Sequence, residues 1–475
     1  MRLLILATLT SLAVAASPAV AAEENPPIPQ DEQWQKKHVA ESLAWNRRTL
    51  GQAYDKVGKK DPRWDKPARE ALEAAARFFS NQVDPRTTVE DIYAPAKRAV
   101  DAGCDDPLIL YLFARSSYHD NFPGPMEIER RYTAAAVALE RSAYSPLRRT
   151  TALTKAAEVR ASRKDLSPQE RAEAVHFLDT ALALLPKSLK TDEKTFNAED
   201  LQFRLPMEVV ETLRKLNGDY EAAFKHVDTV LAKTPALKAI RLQTQGHFLV
   251  RFAWEARGSG FANSVTEEGA RKFQERLTEA RKVLNQCWTL KPNDFRTANL
   301  MLMIEKGIGD ERADMEKWFE RAMKAYSLNK LACEQKLDWL DPKWHGSREE
   351  MLAFGRACRD SKNWRGGLTL RVADAHLRAC LGLSNEEIRK YFGSKEVRED
   401  IQGVYEEYLK HYPDDVLERT RYAVYCFYCG RYAESDKQFK ILGEDVVPTA
   451  QWPASWMKRV RALVAEQAAK EKPPK

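Results

Sequence analysis

The sequence lacks the motifs by which many enzymes can be recognised. It contains no His-Glu-x-x-His zinc motif, no Gly-x-x-x-x-Gly-Lys phosphate loop, no Gly-x-Ser-x-Gly nucleophile turn and no dinucleotide-binding fingerprint. Only eight histidines are present, and they form no cluster with the spacing of metal ligands. We therefore expect a protein without enzymatic activity that holds no metal and no cofactor.

Strand signals, long apolar runs and blocks of like charge are also scarce. Alternating β-branched residues bounded by turns are nearly absent, which predicts an all-α chain. Beyond the N-terminus, no stretch approaches the roughly 20 apolar residues that a membrane-spanning helix needs, so we expect no transmembrane segment. The formal net charge is +7, but basic and acidic residues alternate along the chain. Without a clustered basic face, we do not expect nucleic-acid binding.

The N-terminus has the features of a secretory signal peptide. Arg2 supplies a short basic end, Leu3 to Ala16 form an apolar run, and small residues follow in an Ala-x-Ala pattern. This pattern predicts cleavage near Ala21 or Ala22 and a periplasmic or secreted mature protein. A proline-bearing polar stretch over residues 23–30 is expected to be a flexible leader.

Seven cysteines are an odd number, so at least one thiol has no partner within the chain. Cys426 and Cys429 have the Cys-x-x-Cys spacing of redox and zinc sites, but they fall inside a predicted helix without a second pair. Buried small residues on a packed helix explain them better. Cys333, Cys358 and Cys380 lie in successive predicted helices, and whether a disulfide links two of them is left open.

The stretch from Leu213 to Pro235 predicts the turn and second helix of a helix pair. Gly218 allows positive φ at the turn, Tyr220 covers the corner, and Ala223 lets a paired helix approach closely. Pro235 stands where the next helix would begin. This pattern resembles the second half of a tetratricopeptide repeat; a generic helical hairpin is the alternative.

Related patterns recur with irregular spacing. Gly430 and Tyr432 form a second Gly-x-Tyr corner, whereas Pro235 and Pro292 are much farther apart than the roughly 34 residues of a regular repeat. The sequence thus predicts an α-solenoid of degenerate tetratricopeptide-like helix pairs, as one array or as two lobes joined near Gly258. The predicted organisation is a signal peptide at 1–22, a leader at 23–30, helical-repeat regions at 31–257 and 264–468, and a disordered tail at 469–475.

One segment departs from the repeat pattern and supplies the candidate binding residues. Trp339, Trp344 and His345 lie close together before Ser347, which is positioned to cap the next helix. A tryptophan at a corner can support a sugar ring or a peptide, and a histidine can add a hydrogen bond. The alternative is that the two tryptophans fill the junction between helix pairs. Trp364 completes the set of candidate binding residues.

The same segment carries a second resemblance. It reads Trp-Leu-Asp-Pro-Lys-Trp-His-Gly-Ser from Trp339 to Ser347 and, after Arg348, Glu-Glu-Met-Leu-Ala-Phe from Glu349 to Phe354. This run resembles one in uncharacterised exported bacterial helical-repeat proteins, although His345 stands where those relatives have glycine. The resemblance implies a fold and a compartment, and it implies no activity.

Two classes of function remain. The first is an exported scaffold whose concave face binds a protein or peptide partner, which the repeat character favours. The alternative is a carbohydrate-binding or carbohydrate-hydrolysing envelope protein. That alternative rests on six tryptophans in the C-terminal third: Trp318, Trp339, Trp344, Trp364, Trp452 and Trp456.

Overall fold

The computed structural model describes residues 32–80, 87–117, 123–191, 195–260, 264–309 and 311–470. The predicted signal peptide, the leader and residues 471–475 of the predicted tail lie outside the described residues.

The described chain is helical, and it contains no β-strand. Its α-helices are α1 Glu32–Thr49, α2 Gly51–Val57, α3 Asp65–Phe79, α4 Glu90–Asp101, α5 Pro107–Ser116, α6 Pro125–Glu140, α7 Pro146–Arg160, α8 Pro168–Thr191, α9 Phe196–Asn217, α10 Tyr220–Ala232, α11 Lys238–Arg257, α12 Glu267–Leu290, α13 Phe295–Ile308, α14 Arg312–Ala325, α15 Lys330–Leu340, α16 Arg348–Asp360, α17 Arg371–Arg378, α18 Asn385–Phe392, α19 Lys395–His411, α20 Val416–Tyr428, α21 Tyr432–Leu442 and α22 Ala454–Lys470.

The turn between α9 and α10 illustrates how local sequence ends one helix and begins the next. Gly218 has a φ of 80° and its N–H closes the end of α9. The Asp219 side chain then accepts a hydrogen bond from the Ala222 N–H, which caps α10. Tyr220 is buried at the first position of α10. Pro235 begins a short 3-10 turn that leads into α11.

The helices form a solenoid of consecutive pairs, which confirms the predicted fold class. Nearly every helix packs against the next one along the chain. Odd-numbered helices also pack side by side, in one run from α7 to α19 and another from α1 to α5. We call these odd-numbered helices the inner layer. Helix α1 also contacts α9, which brings the beginning of the chain against the middle of the inner layer.

The hydrophobic core continues across the boundary predicted near Gly258. Phe248 belongs to the core cluster of the first half, Val250 belongs to the next cluster, and Leu249 packs against both. All three residues are on α11, which also packs extensively on α12. A single helix therefore joins the cores of the two predicted regions.

All seven cysteines are buried free thiols. Burial, and then the neighbouring Cys333 thiol, raise the pKa of Cys358 well above the ordinary value. Cys426 and Cys429 pack in the C-terminal core cluster, as expected for small buried residues. Burial also raises the pKa of Cys380, to about 11.

Candidate functional site

The predicted tryptophan–histidine segment lies at a junction between helices. Trp339 is 4% exposed on α15, and its ring stacks on His345 with centroids 5.0 Å apart. The His345 ring nitrogen Nε2 lies 2.8 Å from the carbonyl oxygen of Lys306 on α13. These contacts attach the segment after α15 to the neighbouring helix.

Trp344 makes a second attachment. Its ring packs edge to face on Trp254 of α11, with centroids 5.4 Å apart. The Arg257 guanidinium carbon and the Lys306 ammonium nitrogen lie 5.1 Å and 5.5 Å from its ring centroid. The segment thus connects α11, α13 and α15, in the arrangement expected of rings that fill a junction.

The other two candidates have separate structural contacts. Ser347 caps α16 by accepting a hydrogen bond from the Glu350 N–H at 3.1 Å. Trp364 packs against the C-terminal core cluster and stacks on His411 at 5.4 Å. A binding role for Trp339, Trp344, His345, Ser347 and Trp364 stays a prediction.

The inner layer contains a more extensive feature, which sequence reasoning missed. Two adjoining cavities of about 360 Å³ and about 590 Å³ lie among α1, α5, α7, α9, α11, α13 and α15. They share Arg115, Thr151, Asp200 and Arg204 in their linings, so they form one open space. We call the whole the inner groove, the smaller cavity the basic pocket and the larger one the apolar pocket.

Aromatic rings form the wall between the two pockets. Phe196 of α9 stacks on Phe295 of α13 at 5.5 Å, and Tyr326, which follows α14, lies 5.1 Å from the first ring and 5.0 Å from the second. Burial raises the pKa of Tyr326 to about 12, so its hydroxyl is neutral at physiological pH. The cluster fixes α9 and α13 relative to each other where the groove passes between them.

Arginine side chains line the basic pocket. Arg148 is buried and lies over the Trp45 ring, 4.4 Å from its centroid. Its Nη2 donates to Asn46 Oδ1 at 2.5 Å and to Thr49 Oγ1 at 2.8 Å. These bonds and the ring contact hold the guanidinium in place at the edge of the pocket.

Ion pairs at the centre of the groove combine both signs of charge. Asp200 lies 3.9 Å from Arg204 and 3.5 Å from Arg296. Arg204 also pairs with Glu208 at 3.2 Å. Eight basic and four acidic side chains line the two pockets among the described residues. The groove therefore carries an excess of positive charge.

The apolar pocket combines buried and partly exposed apolar side chains. Phe203 and Met207 of α9 are each 5% exposed, whereas Leu331 of α15 is 47% exposed. His247 of α11 also lines this pocket. Burial and the nearby Arg251 guanidinium lower the pKa of His247 to about 4, so its ring is neutral at pH 7.

Glu208 shows the partial desolvation of the groove. Its side chain is 46% exposed, but the walls of the groove surround it. This desolvation, with the charges of Glu158 and Asp200, raises the pKa of its carboxyl despite the opposing effect of Arg204.

The chain matches no known protein-family model, and a search of curated proteins gives no match. Within the described part of the chain, no helix combines the length and the hydrophobicity of a membrane span. No group of three or more histidine, cysteine, aspartate and glutamate side chains there could hold a metal ion.

One sequence signal could have indicated the groove. Along α9, Asp200, Arg204, Glu208 and Glu211 repeat at intervals of three and four residues, and Phe203 and Met207 follow the same spacing. In addition to the apolar face that packs in the core, such a helix has a second face that carries both charged and apolar side chains. Which other helices face this surface depends on the packing of the solenoid.

Proposed function

We propose that this protein is a non-catalytic scaffold whose inner groove binds an extended segment of a protein partner. The observation that carries the proposal is the open space across α7, α9, α11, α13 and α15, with apolar side chains exposed to it. Exposed apolar surface within a concave, charged rim is typical of interaction sites. Concave faces of helical-repeat proteins commonly serve this purpose.

The dimensions of the groove suit a peptide. Packed helices lie roughly 8–10 Å apart, so four intervals between α7 and α15 extend about 32–40 Å. An extended chain advances about 3.3 Å per residue, and this distance corresponds to about ten to twelve residues. A partner segment of that length would place successive side chains in both pockets.

We also propose that the protein acts outside the cytoplasm, on the evidence of the apolar N-terminal run and its Ala-x-Ala end. The N-terminal sequence of the protein recovered from the cell envelope or the medium tests this proposal. Cleavage near Ala21 is expected, and an intact Met1 in that material would contradict it.

The carbohydrate alternative receives no support from the geometry of the tryptophans. A sugar stacks on an accessible aromatic face, whereas Trp339 is 4% exposed and Trp344 is flanked by Arg257 and Lys306. Carbohydrate binding or hydrolysis therefore remains the second prediction, and a peptide in the groove is the first.

Affinity capture with matched variants tests the proposed function. The mature chain is used as bait in native envelope extract, as wild type, as Leu331→Asp and as Met126→Asp. Leu331 lies in the groove and is 47% exposed, while Met126 begins α6 and is 77% exposed, so neither change should disturb the core. A bound apolar segment would bury the charge of the new aspartate, which should disfavour its binding.

We expect one protein to be retained by the wild type and by Met126→Asp, and to be lost with Leu331→Asp. Equal retention by all three forms would show that the partner binds elsewhere. Retention of polysaccharide without any protein would favour the carbohydrate alternative.

A further inference from the structure

The two pockets of the inner groove differ in their number of carboxylates. Among the described residues, the basic pocket is lined by Arg115, Arg148, Arg204 and Arg365 and by one carboxylate, that of Asp200. Asp200 itself lies within 4 Å of Arg204 and Arg296. The apolar pocket is lined by four carboxylates, those of Glu158, Asp200, Glu208 and Glu211.

Arg115 on α5 is the arginine most available to a ligand. Its side chain is exposed, and both pockets include it in their linings. The guanidinium lies 5.0 Å from the centroid of the Phe79 ring, and its Nη1 donates to the Tyr111 hydroxyl at 3.3 Å. In the part of the chain that the structure describes, it forms no ion pair with a carboxylate. The Tyr111 phenol and, to a lesser extent, the charge of Glu208 raise the pKa of Arg115. The direct partners of its guanidinium are a ring and a phenol.

Arg148 lies close to Arg115, because both guanidinium carbons contact the Phe79 ring, at 5.9 Å and 5.0 Å from its centroid. Because Asn46, Thr49 and the Trp45 ring fix its guanidinium, little side-chain freedom remains to be lost when a ligand binds. A positioned arginine beside an exposed one is suited to a carboxylate, which accepts hydrogen bonds through two oxygens.

We propose that the basic pocket recognises an aspartate or glutamate of the partner segment, with an apolar residue of the same segment in the adjoining apolar pocket. This inference rests on the proposed peptide-binding function and specifies the class of peptide. An acidic residue is expected because its charge is complementary to the arginines of the basic pocket. An apolar residue is expected next to it because Arg115 and Arg204 line both pockets, so the two pockets adjoin.

Selection from a random peptide library tests this inference. Peptides of about twelve residues are displayed and selected on the full mature chain, as wild type, Arg115→Gln and Arg130→Gln. Arg130 serves as the control because it lies on α6, outside the groove linings, with a side chain that is 73% exposed. Selected peptides are then synthesised with their acidic residues and with the corresponding amides.

We expect enrichment of aspartate or glutamate next to apolar residues on the wild type and on Arg130→Gln. Because hydrogen bonds between charged groups are the stronger ones, replacing the key acid by its amide should weaken binding about tenfold. Arg115→Gln should weaken binding of the acidic peptide by a similar factor. It should leave binding of the amide peptide unchanged, because that peptide already lacks the carboxylate with which Arg115 interacts.

Other outcomes separate the two proposals. Enrichment of apolar peptides without a preference for acids, or with a preference for basic residues, overturns the acidic class while peptide binding in the groove stands. Failure to enrich any peptide overturns both. An oligonucleotide and heparin are run as separate probes. If either binds tightly and no peptide binds, the ligand of the basic pocket is a non-peptide polyanion and the acidic peptide is ruled out.

Discussion

Replacing Asp106 by alanine should destabilise the first helix pairs more than the loss of an ordinary helix cap. Asp106 is fully buried before α5, and its carboxylate accepts hydrogen bonds from the N–H groups of Leu108 and Ile109. It also accepts from the Lys59 N–H at 2.9 Å and from the Tyr144 hydroxyl at 2.9 Å. One side chain thus joins the loop after α2, the start of α5 and the turn before α7.

The magnitude follows from the partners that alanine would leave behind. Loss of an N-cap costs about 1 kcal/mol. Each buried donor left without an acceptor costs about 1–3 kcal/mol, although relaxation and water recover part of it. With the Lys59 and Tyr144 donors included, we expect Asp106→Ala to cost about 3–5 kcal/mol. Asp219 is an exposed N-cap with a single bond to the Ala222 N–H, so Asp219→Ala should cost about 1 kcal/mol.

Hydrogen exchange combined with urea unfolding measures this difference. A solenoid can lose stability locally, so protection of the α5 and α7 amides is the most direct readout. Asp106→Ala should lower protection there and leave α19 and α20 unchanged. Equal losses for Asp106→Ala and Asp219→Ala would refute the reasoning, because they would show that the buried network adds nothing beyond a cap.

Three further predictions follow from single groups. The free energy of unfolding of the wild type should fall by up to about 2 kcal/mol between pH 7 and pH 5, because His247 is protonated near pH 6.5 in the unfolded chain and only near pH 4 in the folded one. Urea unfolding at the two pH values should show a smaller fall for His247→Asn, and an equal fall would contradict the lowered pKa. Trp344→Ala should reduce stability by about 2 kcal/mol through its lost ring and cation contacts while partner capture persists, and loss of capture in a fully folded variant would restore Trp344 as a binding residue. The native thiols should resist a disulfide-exchange reagent at pH 8, because they are buried, and all seven should react after denaturation; rapid labelling of the native protein would contradict their burial.

The sequence predicts the fold class well because local signals in this chain agree with one another. At Gly218 the requirement for positive φ, the cap supplied by Asp219 and the buried ring of Tyr220 all indicate a sharp turn between helices, and the structure has one there. The wide interval between Pro235 and Pro292 corresponds to two long helices, α11 and α12, of 20 and 24 residues. Such signals act within one or two helical turns, where sequence reasoning is strongest.

The candidate site was harder to predict, because its residues are distant in sequence. Arg115 and Arg204 share the lining of both pockets although four helices begin between them. The contact of Phe196 with Phe295 depends on how α9, α11 and α13 stack, which no local pattern specifies. Trp344, in contrast, is conspicuous in the sequence because tryptophan is rare in turns, and its contacts show that a conspicuous residue can serve packing.

Site-specific photo-crosslinking in cells tests the central claim most directly. A photoreactive amino acid replaces Leu331 in the groove or Met126 on α6, and adducts formed on irradiation are identified by mass spectrometry. The scaffold account predicts that position 331 crosslinks to one defined segment of a partner protein, and that position 126 does not. Adducts of the same partner from position 126 alone, or adducts at position 331 that contain saccharide and no peptide, would contradict it.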